Sequence, residues 1–409
     1  MLLSPADSVT IKDATSLIRP EFQPLARALS VYPSNTPTTG NEVQLIYSGA
    51  DYRELVLKDF SSAKELIEIE CLLFGSGTAG KEVEEVLAGK ASEGVTVRYI
   101  HDNISNFFNG SAEEPQMTGF YDRMNTRGIQ KRDYTPLLDL YNGLYYPALR
   151  NHRKVNVIDG RVAYMGGMNL NNGSLNVWGD THMRITGPAA NCLHEAFLRH
   201  WNKVDYGGRN QVPGNLKVDP VAEAPEHGLI MQTVPDGPDE PAHMAQSAYI
   251  WVLDHARNYV WMETPYLVMT KPLLKAMERA SKRGVDVCML IPAKTDEKIC
   301  EPLSRYYSEQ CMKAGVRMLV RPEVFDHSKV MIADDYLSCV SSTNLDKLSL
   351  KRLAEMLAFM YDEDMALVLK ERFLENASDS YELTPEITKT WSLGDRLLQN
   401  ILRPIGIVL

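Results

Sequence analysis

The chain carries one residue pattern twice, and a repeat constrains the fold more strongly than any single motif. The pattern starts at His152 and again at His327. After each histidine, a lysine follows at the second position, an aspartate at the seventh, a small residue at the fifteenth, an asparagine at the seventeenth and a carboxylate at the twenty-eighth. The matched residues are Lys154 and Lys329, Asp159 and Asp334, Gly167 and Ser342, Asn169 and Asn344, and Asp180 and Glu355. Since Lys and Asp each fill about one position in twenty, chance does not explain two such copies.

Each copy of the pattern follows a strand, an amphipathic helix and a second strand. These are residues 65–74, 81–94 and 95–100 in the first half, and 258–267, 271–284 and 285–292 in the second. Such connections imply parallel strand pairing and an α/β fold. A stretch dense in Gly, Pro and polar residues separates the halves and is typical of a linker. We expect an N-terminal extension (1–40), a first lobe (41–210), a linker (211–228), a second lobe (229–380) and a C-terminal amphipathic segment (381–409).

Composition excludes several classes of protein. The formal net charge is −10, with 43 Lys and Arg against 53 Asp and Glu, so a broad electrostatic grip on nucleic acid is not expected. We find no apolar run of the roughly 18 residues that a membrane span requires, and no secretory signal at Met1. The six cysteines lack any C-x-x-C pair, which argues against a zinc site and favours a reducing, cytoplasmic compartment. We expect neither a metal nor an organic cofactor.

The spacing of the pattern suits chemistry on a phosphate. Alternate residues of a strand share a face, so each histidine points the same way as its lysine, and the next turn can return the asparagine to them. If the two halves face each other, two histidines flank one phosphate, where one attacks phosphorus and the other protonates the leaving oxygen. Lysines and asparagines would stabilise charge on the phosphoryl oxygens.

The acidic residues of the pattern divide into two groups. Asp180 and Glu355 are candidates to hold the second ring nitrogen of each histidine, which would fix its tautomer. Ordinary surface carboxylates are the alternative for these two. Asp159 and Asp334 sit at strand ends, where turns favour Asp, and this position favours a structural role over a catalytic one.

The doubled H-x-K-x₄-D pattern, with its G-G-x-N and S-x-x-N tails, resembles the phospholipase D superfamily. Within it, the chain is most similar to bacterial cardiolipin synthases, in a short form without N-terminal membrane spans. The segments that carry the resemblance are RNHRKVNVIDGRVAYMGGMNL (150–170), DTHMRITGPA (180–189), TPY (264–266) and NLDKLS (344–349). The likeness extends over about residues 41–409.

This resemblance implies two pseudo-symmetric α-β-α sandwich lobes with a single active site at their interface. It implies transfer of a phosphatidyl group from one phospholipid to the terminal hydroxyl of phosphatidylglycerol through a phosphohistidine. His152 would be the nucleophile and His327 the acid and later the base. The lysines, asparagines and all four acidic residues of the doubled pattern would belong to the catalytic set. Gly167, Ser342 and His182 would be candidates for substrate binding, and a structural role for His182 fits equally well.

Three positions depart from the family pattern. The chain has Leu348 and Leu353 where the family usually has Arg and Asn, and Gly179 where an Arg is common. These changes bear on the acceptor substrate more than on the phosphoryl-transfer core.

Contact with a membrane would then be peripheral, at the cytoplasmic face of a bacterial cell membrane. In residues 391–409, one helical side would carry Trp391, Leu397, Leu398, Ile401, Leu402 and Ile405, with Arg396 and Arg403 at headgroup level. Docking of this segment on the core is an equal alternative. Residues 18–32 are a weaker candidate for membrane contact.

Other functions stay open from the sequence. The same core would serve a phospholipase D hydrolase or a transferase with another alcohol acceptor. A phosphodiesterase nuclease is a further alternative. The chain lacks the basic, aromatic-interleaved stripe that binding of nucleic acid requires, which counts against it. GSGTAG (75–80), with Asp102 beyond it, matches a dinucleotide-binding fingerprint, but the second half has no glycines at the equivalent place. A non-enzymatic lipid-binding protein is the alternative outside the enzymes.

Overall fold

The computed structural model of the chain describes residues 9–102, 123–134, 150–205, 208, 210–220, 228–238, 240–241 and 243–402. Its strands are β1 Val9–Asp13, β2 Thr38–Ser48, β3 Leu66–Cys71, β4 Thr96–Asp102, β5 Ile129–Tyr134, β6 Val155–Ile158, β7 Val162–Gly166, β8 Gly179–Thr186, β9 Leu216–Pro220, β10 Leu229–Asp236, β11 Tyr259–Glu263, β12 Asp286–Pro292, β13 Arg317–Arg321, β14 Val330–Ala333, β15 Leu337–Ser341, β16 Glu355–Tyr361 and β17 Tyr381–Glu382. Its helices are α1 Gln23–Leu29, α2 Gly49–Ser62, α3 Thr78–Ser92, α4 Asn172–Asn176, α5 Pro188–Lys203, α6 Met244–His255, α7 Lys271–Lys282, α8 Cys300–Lys313, α9 Glu363–Ser378, α10 Pro385–Lys389 and α11 Leu393–Leu402, with 3₁₀ turns at Thr15–Leu17 and Pro33–Asn35.

Most of these strands form one continuous sheet whose order displays the repeat. The order is β17-β13-β12-β11-β14-β15-β16-β10-β2-β8-β7-β6-β3-β4-β5. At its middle, β2 and β10 pair antiparallel and join the two lobes. Outward from this seam, both lobes have the same arrangement, in which β3 pairs parallel with β4 and β11 parallel with β12. The expected α/β fold of two related lobes is confirmed.

Helices cover both faces of this sheet. Along β14, Met331 and Ala333 pack in a cluster with α6, α7 and α8, whereas Val330 and Ile332 pack in a second cluster with α5 and α9. Successive residues of a strand point to opposite faces, so α9 lies on the other side of the sheet from α8. The second cluster contains residues of both lobes, which ties them into one body.

The N-terminal extension and the linker are joined by strand pairing. β1 pairs in parallel with β9, which lies inside the expected linker. Helix α1, which follows β1 in the chain, buries Leu25 and Leu29 in the core of the second lobe. Most apolar side chains of residues 18–32 are buried in this way, and Val31 is 43% exposed. The expectation that this segment contacts a membrane is not supported, because its apolar side is used for packing.

Three further features concern cysteines, metals and membranes. All six cysteines are free and buried. Across the described part of the chain, no group of three or more His, Cys, Asp or Glu is placed to hold a metal ion. None of the helices in the described ranges has the length and apolar character needed to cross a bilayer.

Candidate active site

Each catalytic-motif histidine is held by the backbone of the opposite lobe. The backbone N–H of His152 donates to the carbonyl of Ala354 at 2.8 Å, and that of His327 donates to the carbonyl of Gly179 at 2.8 Å. Short parallel bridges, Asn151 with Ala354 and Gly179 with Asp326, flank these bonds. Gly179, which stands where the family commonly has Arg, still makes this contact. The acceptor is its backbone carbonyl, which does not depend on the side chain.

The histidine–carboxylate pairs also cross between the lobes. His152 Nδ1 lies 2.9 Å from Glu355 Oε1 and 3.0 Å from Oε2. His327 Nδ1 lies 2.8 Å from Asp180 Oδ2. All four side chains are buried, and both rings border one cavity of about 630 Å³. Because Nδ1 of each ring is engaged, Nε2 is the nitrogen left for chemistry.

Burial shifts the ionisation of these pairs. It lowers the pKa of His152 and of His327 well below the ordinary value for histidine, and nearby lysines lower it further. It raises the pKa of Asp180 to about 7 and that of Glu355 to about 8. Near neutral pH, a pair with an ionised carboxyl keeps one proton on Nδ1 and a free-base Nε2, whereas a pair with a protonated carboxyl can carry a proton on Nε2.

Both lysines are buried, and each bonds to the backbone of its own histidine. Lys154 Nζ donates to the carbonyl of His152 at 2.7 Å, and Lys329 Nζ donates to the carbonyl of His327. Burial lowers the pKa of Lys154 to about 7 and that of Lys329 to about 8. An anion entering the cavity would favour their charged forms.

The two asparagines border the cavity but are held differently. Asn169 Oδ1 accepts the Leu73 N–H at 3.2 Å, which leaves its amide nitrogen for the cavity. Asn344 interacts with the neighbouring Asp346 carboxyl, and its Oδ1 is buried without a hydrogen-bond partner in the structure.

The small residues of the pattern support the carboxylates and do not border the cavity. A Cβ on Gly167 would lie 2.1 Å from Asp180 Oδ1, so only glycine leaves room for that carboxylate. Ser342 Oγ donates to Glu355 Oε2 and accepts the Met356 N–H at 3.0 Å. The expectation that Gly167 and Ser342 bind substrate is replaced by this positioning role.

His182 is likewise not a cavity residue. Its ring is fully buried and lies 4.4 Å from the ring of Tyr52, centroid to centroid. Its Nδ1 accepts the Met168 N–H at 3.3 Å. Burial lowers its pKa to about 3, so the ring stays neutral. Of the two roles that the sequence allowed, the structure favours the structural one.

Asp159 and Asp334 lie in turns outside the cavity. Both have left-handed backbone, with φ of 50° and 52°. The Asp159 carboxylate accepts the backbone N–H groups of Lys64, Glu65 and Leu66 at 2.8–2.9 Å. Asp334 accepts those of Arg257, Asn258 and Tyr259 at 2.7–3.0 Å. The catalytic role that the resemblance gave them is replaced by a structural one, because each fixes the start of the strand that follows a helix.

Several cavity residues were missed from the sequence. An aromatic group surrounds the His327 ring, with centroid distances of 5.6 Å to Trp178, 5.9 Å to Phe325 and 6.0 Å to Tyr266. Tyr266 Oη donates to Asp296 Oδ1 at 2.5 Å. Tyr266 occupies the place that Leu73 has in the first lobe, because each precedes a residue that bridges to the leucine after the asparagine of its own copy. The sequence signal for it was the TPY segment (264–266).

Leu348 and Leu353, two of the departures from the family pattern, both line the cavity. They make part of its wall apolar where the family usually has a cation and an amide. Acidic side chains, Asp296 and Asp346 among them, line it as well.

The glycines of the GSGTAG turn, which match a dinucleotide-binding fingerprint, have a packing role in the structure. Asn172, which lines the cavity, accepts the Ala79 N–H at 3.0 Å through its Oδ1. A Cβ on Gly77 would lie 2.4 Å from the Asn172 side chain. Asp102 is buried and accepts the Asn151 N–H at 2.8 Å. The glycines therefore pack this turn against the cavity wall, and Asp102 supports the segment before His152.

Sequence comparison relates the chain to lipid-metabolising enzymes. The family described as "Cardiolipin synthase, PLD-like domain" matches residues 56–201 and 249–376. The chain is 28% identical over 379 residues to a cardiolipin synthase of Listeria welshimeri, covering 91% of this chain and 76% of that protein. It is 28% identical over 375 residues to cardiolipin synthase A of Pseudomonas putida, covering 90% and 75%.

Structural comparison shows the same fold. The phosphatidylserine synthase of Haemophilus influenzae superposes with a TM-score of 0.70 at 13% identity, covering 95% of this chain and all of that one. The polyphosphate kinase of Porphyromonas gingivalis superposes with a TM-score of 0.56 at 13% identity, covering 90% of this chain and 53% of that one.

Proposed function

The chain belongs to the cardiolipin synthase, PLD-like domain family, and we propose that it makes cardiolipin and glycerol from two molecules of phosphatidylglycerol. Family membership supports an enzyme that transfers a phosphatidyl group. The observation that carries the proposal is the pair of crossed histidine–carboxylate contacts, which place two equivalent rings on one cavity.

In the first step, His152 Nε2 attacks the phosphorus of one phosphatidylglycerol. The bond between phosphorus and the glycerol headgroup oxygen breaks as the phosphorus–nitrogen bond forms. His327, whose Nδ1 faces a protonated Asp180, gives its Nε2 proton to the departing oxygen while the Asp180 proton moves to Nδ1, and glycerol leaves. Glu355 stabilises the positive charge that develops on the His152 ring.

In the second step, the terminal hydroxyl of another phosphatidylglycerol takes the place of glycerol. His327 now removes the proton of that hydroxyl, the oxygen attacks phosphorus, and the phosphorus–nitrogen bond to His152 breaks. Cardiolipin forms and both histidines return to their first state. Lys154, Lys329 and the amide of Asn169 stabilise the phosphoryl oxygens through both steps.

The assignment of nucleophile and acid follows the family resemblance. The surroundings of the two rings support it. His327 lies among Trp178, Tyr266 and Phe325 beside the acidic part of the cavity, where hydroxyl groups of a glycerol headgroup would find acceptors. The substrate lies in a membrane, so the protein would work as a peripheral protein at the cytoplasmic face.

The decisive experiment incubates purified protein with vesicles of radiolabelled phosphatidylglycerol and separates the lipid products. We expect cardiolipin and free glycerol in equal amounts. His327→Ala should abolish both, whereas His255→Ala, an exposed histidine on α6, should not. Phosphatidic acid in place of cardiolipin would show a hydrolase and overturn the proposed acceptor.

The covalent intermediate has its own test. Quenching turnover in denaturant at mildly alkaline pH should trap a phosphatidyl group on the protein that acid then releases, and peptide mapping should place it on His152. A modified His327 would reverse the two roles.

A further inference from the structure

The C-terminal helix α11 is docked with its polar side inward. Asp395 forms an ion pair with Arg305 of α8 at 2.9 Å. Arg396 donates to the carbonyl of Thr388 at 2.7 Å and lies 3.5 Å from Glu309 of α8. Gln399 is buried, with 4% of its surface exposed. A surface helix normally does the reverse and turns its apolar stripe to the core.

The apolar side of the same helix faces outward. Leu393 is 87% exposed, Leu397 62%, Leu398 43% and Ile401 57%. Leu393, Leu397 and Ile401 are four residues apart, so they form one stripe along the helix. We call these four residues the leucine stripe. The flanking Trp391 and Leu402 are half-buried against the core of the second lobe. The segment therefore docks on the core and still presents an apolar face.

The position of the leucine stripe links it to the catalytic cavity. Helix α8, which carries Arg305 and Glu309, begins at Cys300, and Cys300 lines the cavity. Arg305 lies about 8 Å along this helix from Cys300, at about 1.5 Å per residue. Val177, also on the cavity wall, is 77% exposed. Among the described residues, Leu393 and Val177 are the two most exposed large apolar side chains.

We propose that the leucine stripe is the surface through which the protein contacts the lipid bilayer, so that the neighbouring cavity opens toward its substrate. This inference rests on the proposed lipid substrate. The helix would lie in the interface with its leucines among the acyl chains. Arg396, which the sequence placed at headgroup level, is instead used for docking.

The charge of the protein decides how this contact works. With a formal net charge of −10 and Arg396 engaged internally, attraction to an anionic membrane contributes little. Apolar burial would supply the affinity, so vesicle binding should change little with salt. A protein held by basic residues would instead be released as salt rises.

The test measures co-flotation of the full chain with phosphatidylglycerol vesicles and with phosphatidylcholine vesicles, at about 0.1 M and about 1 M salt. The variant is Leu397→Asp/Ile401→Asp. Its matched control is Leu367→Asp/Leu374→Asp, two leucines that are 47% and 50% exposed on α9, on the opposite face of the sheet. We expect the stripe variant to bind vesicles of both lipids at least about tenfold more weakly than the wild type. The control variant should bind them as tightly as the wild type does.

Turnover of dihexanoyl phosphatidylglycerol below its micellar concentration separates this inference from the proposed function. The stripe variant should keep wild-type turnover of this dispersed substrate while losing turnover of vesicles. Equal vesicle binding by the stripe variant and the wild type would overturn the inference. A dimer in solution that the stripe variant abolishes, without vesicle binding by the wild type, would show that a second copy covers the stripe. If the wild type binds vesicles but turns over neither substrate, the proposed function fails and the membrane contact stands.

Discussion

His152 of the first lobe and Glu355 of the second are joined by a hydrogen bond of 2.9 Å from ring to carboxylate. The carboxylate is fully buried and takes a second hydrogen bond from Ser342. Neither lobe contains a complete pair, because Asp180 of the first lobe serves His327 of the second in the same way. The reactive nitrogen of each ring thus depends on the relative placement of both lobes.

Replacing Glu355 by Gln should slow chemistry without unfolding the protein. The amide keeps the shape but loses the charge that stabilises the His152 imidazolium, so kcat should fall about 10²- to 10⁴-fold while KM changes little. Steady-state kinetics over a pH series measures this. Glu371→Gln, at an exposed glutamate on α9, is the matched control. An unchanged kcat and pH profile in the Glu355 variant would exclude the positioning role.

Gly167→Ala should impair activity through Asp180. The added methyl would lie 2.1 Å from Asp180 Oδ1, so the carboxylate must move away from His327. We expect kcat to fall at least about 100-fold and the free energy of unfolding to fall by about 1–3 kcal/mol. Gly89→Ala serves as the control, since a Cβ there meets nothing within 4 Å and helix α3 should gain about 0.5–1 kcal/mol. Full activity of the Gly167 variant would show that the Asp180 contact is dispensable.

Asp159→Ala should destabilise the fold and leave the chemistry alone. The substitution leaves three backbone N–H groups without their acceptor and puts alanine at a φ of 50°. We expect a loss of about 2–4 kcal/mol in chemical denaturation, with kcat per folded molecule within about twofold of wild type at low temperature. A large fall in kcat for fully folded protein would return this aspartate to the catalytic set. Asp334→Ala tests the same point in the second lobe.

Glu263 should make stability depend on pH. Burial, helped by the nearby Asp326 carboxylate, raises its pKa to about 8, while Asn376 donates to its Oε1 at 3.1 Å. Because the folded pKa lies above the ordinary value of 4.5, folding takes up a proton between these values. This contribution to stability is complete below about pH 4.5 and is lost as pH rises to about 8.

Glu263→Gln removes that titration, since the amide resembles the protonated acid. The variant should match wild type near pH 5 and be more stable by a few kcal/mol above pH 8. Thermal melts from pH 5 to pH 9 measure the difference between the two proteins. A difference that stays constant over this range would contradict the raised pKa.

The repeat in the sequence was enough to predict two related α/β lobes and the residues that meet at their junction. Spacing within one copy places His152 and Lys154 at alternate positions just before β6, which is a local property. The sequence could not show that Glu355 pairs with His152, because that contact depends on how β2 and β10 join the lobes. Pairing of β1 with β9 was missed for the same reason, as both lie outside the repeat.

Inferences from the family resemblance left open the points that packing decides. His182 and Gly167 lie near the motif in sequence, yet one is buried beneath Tyr52 and the other makes room for a carboxylate. The amphipathic pattern from residue 391 onward predicted the helix that the structure has at Leu393–Leu402, but not which of its sides would face the protein. Residues 403–409 lie outside the described part of the chain. Ion pairs to α8 determine which side faces the protein. The periodicity of the helix cannot predict them, because their partners lie on another helix.

The crossed pairs also bear on how such a chain can arise by duplication. A lobe on its own holds a histidine and a carboxylate that do not pair, yet two identical lobes about a two-fold axis would satisfy both contacts. An ancestor one lobe long would therefore have been active only as a homodimer. After fusion, the halves could diverge wherever they do not meet. Each carboxylate is instead tied to its small neighbour, Asp180 to Gly167 and Glu355 to Ser342, so the two members of a pair would have to change together.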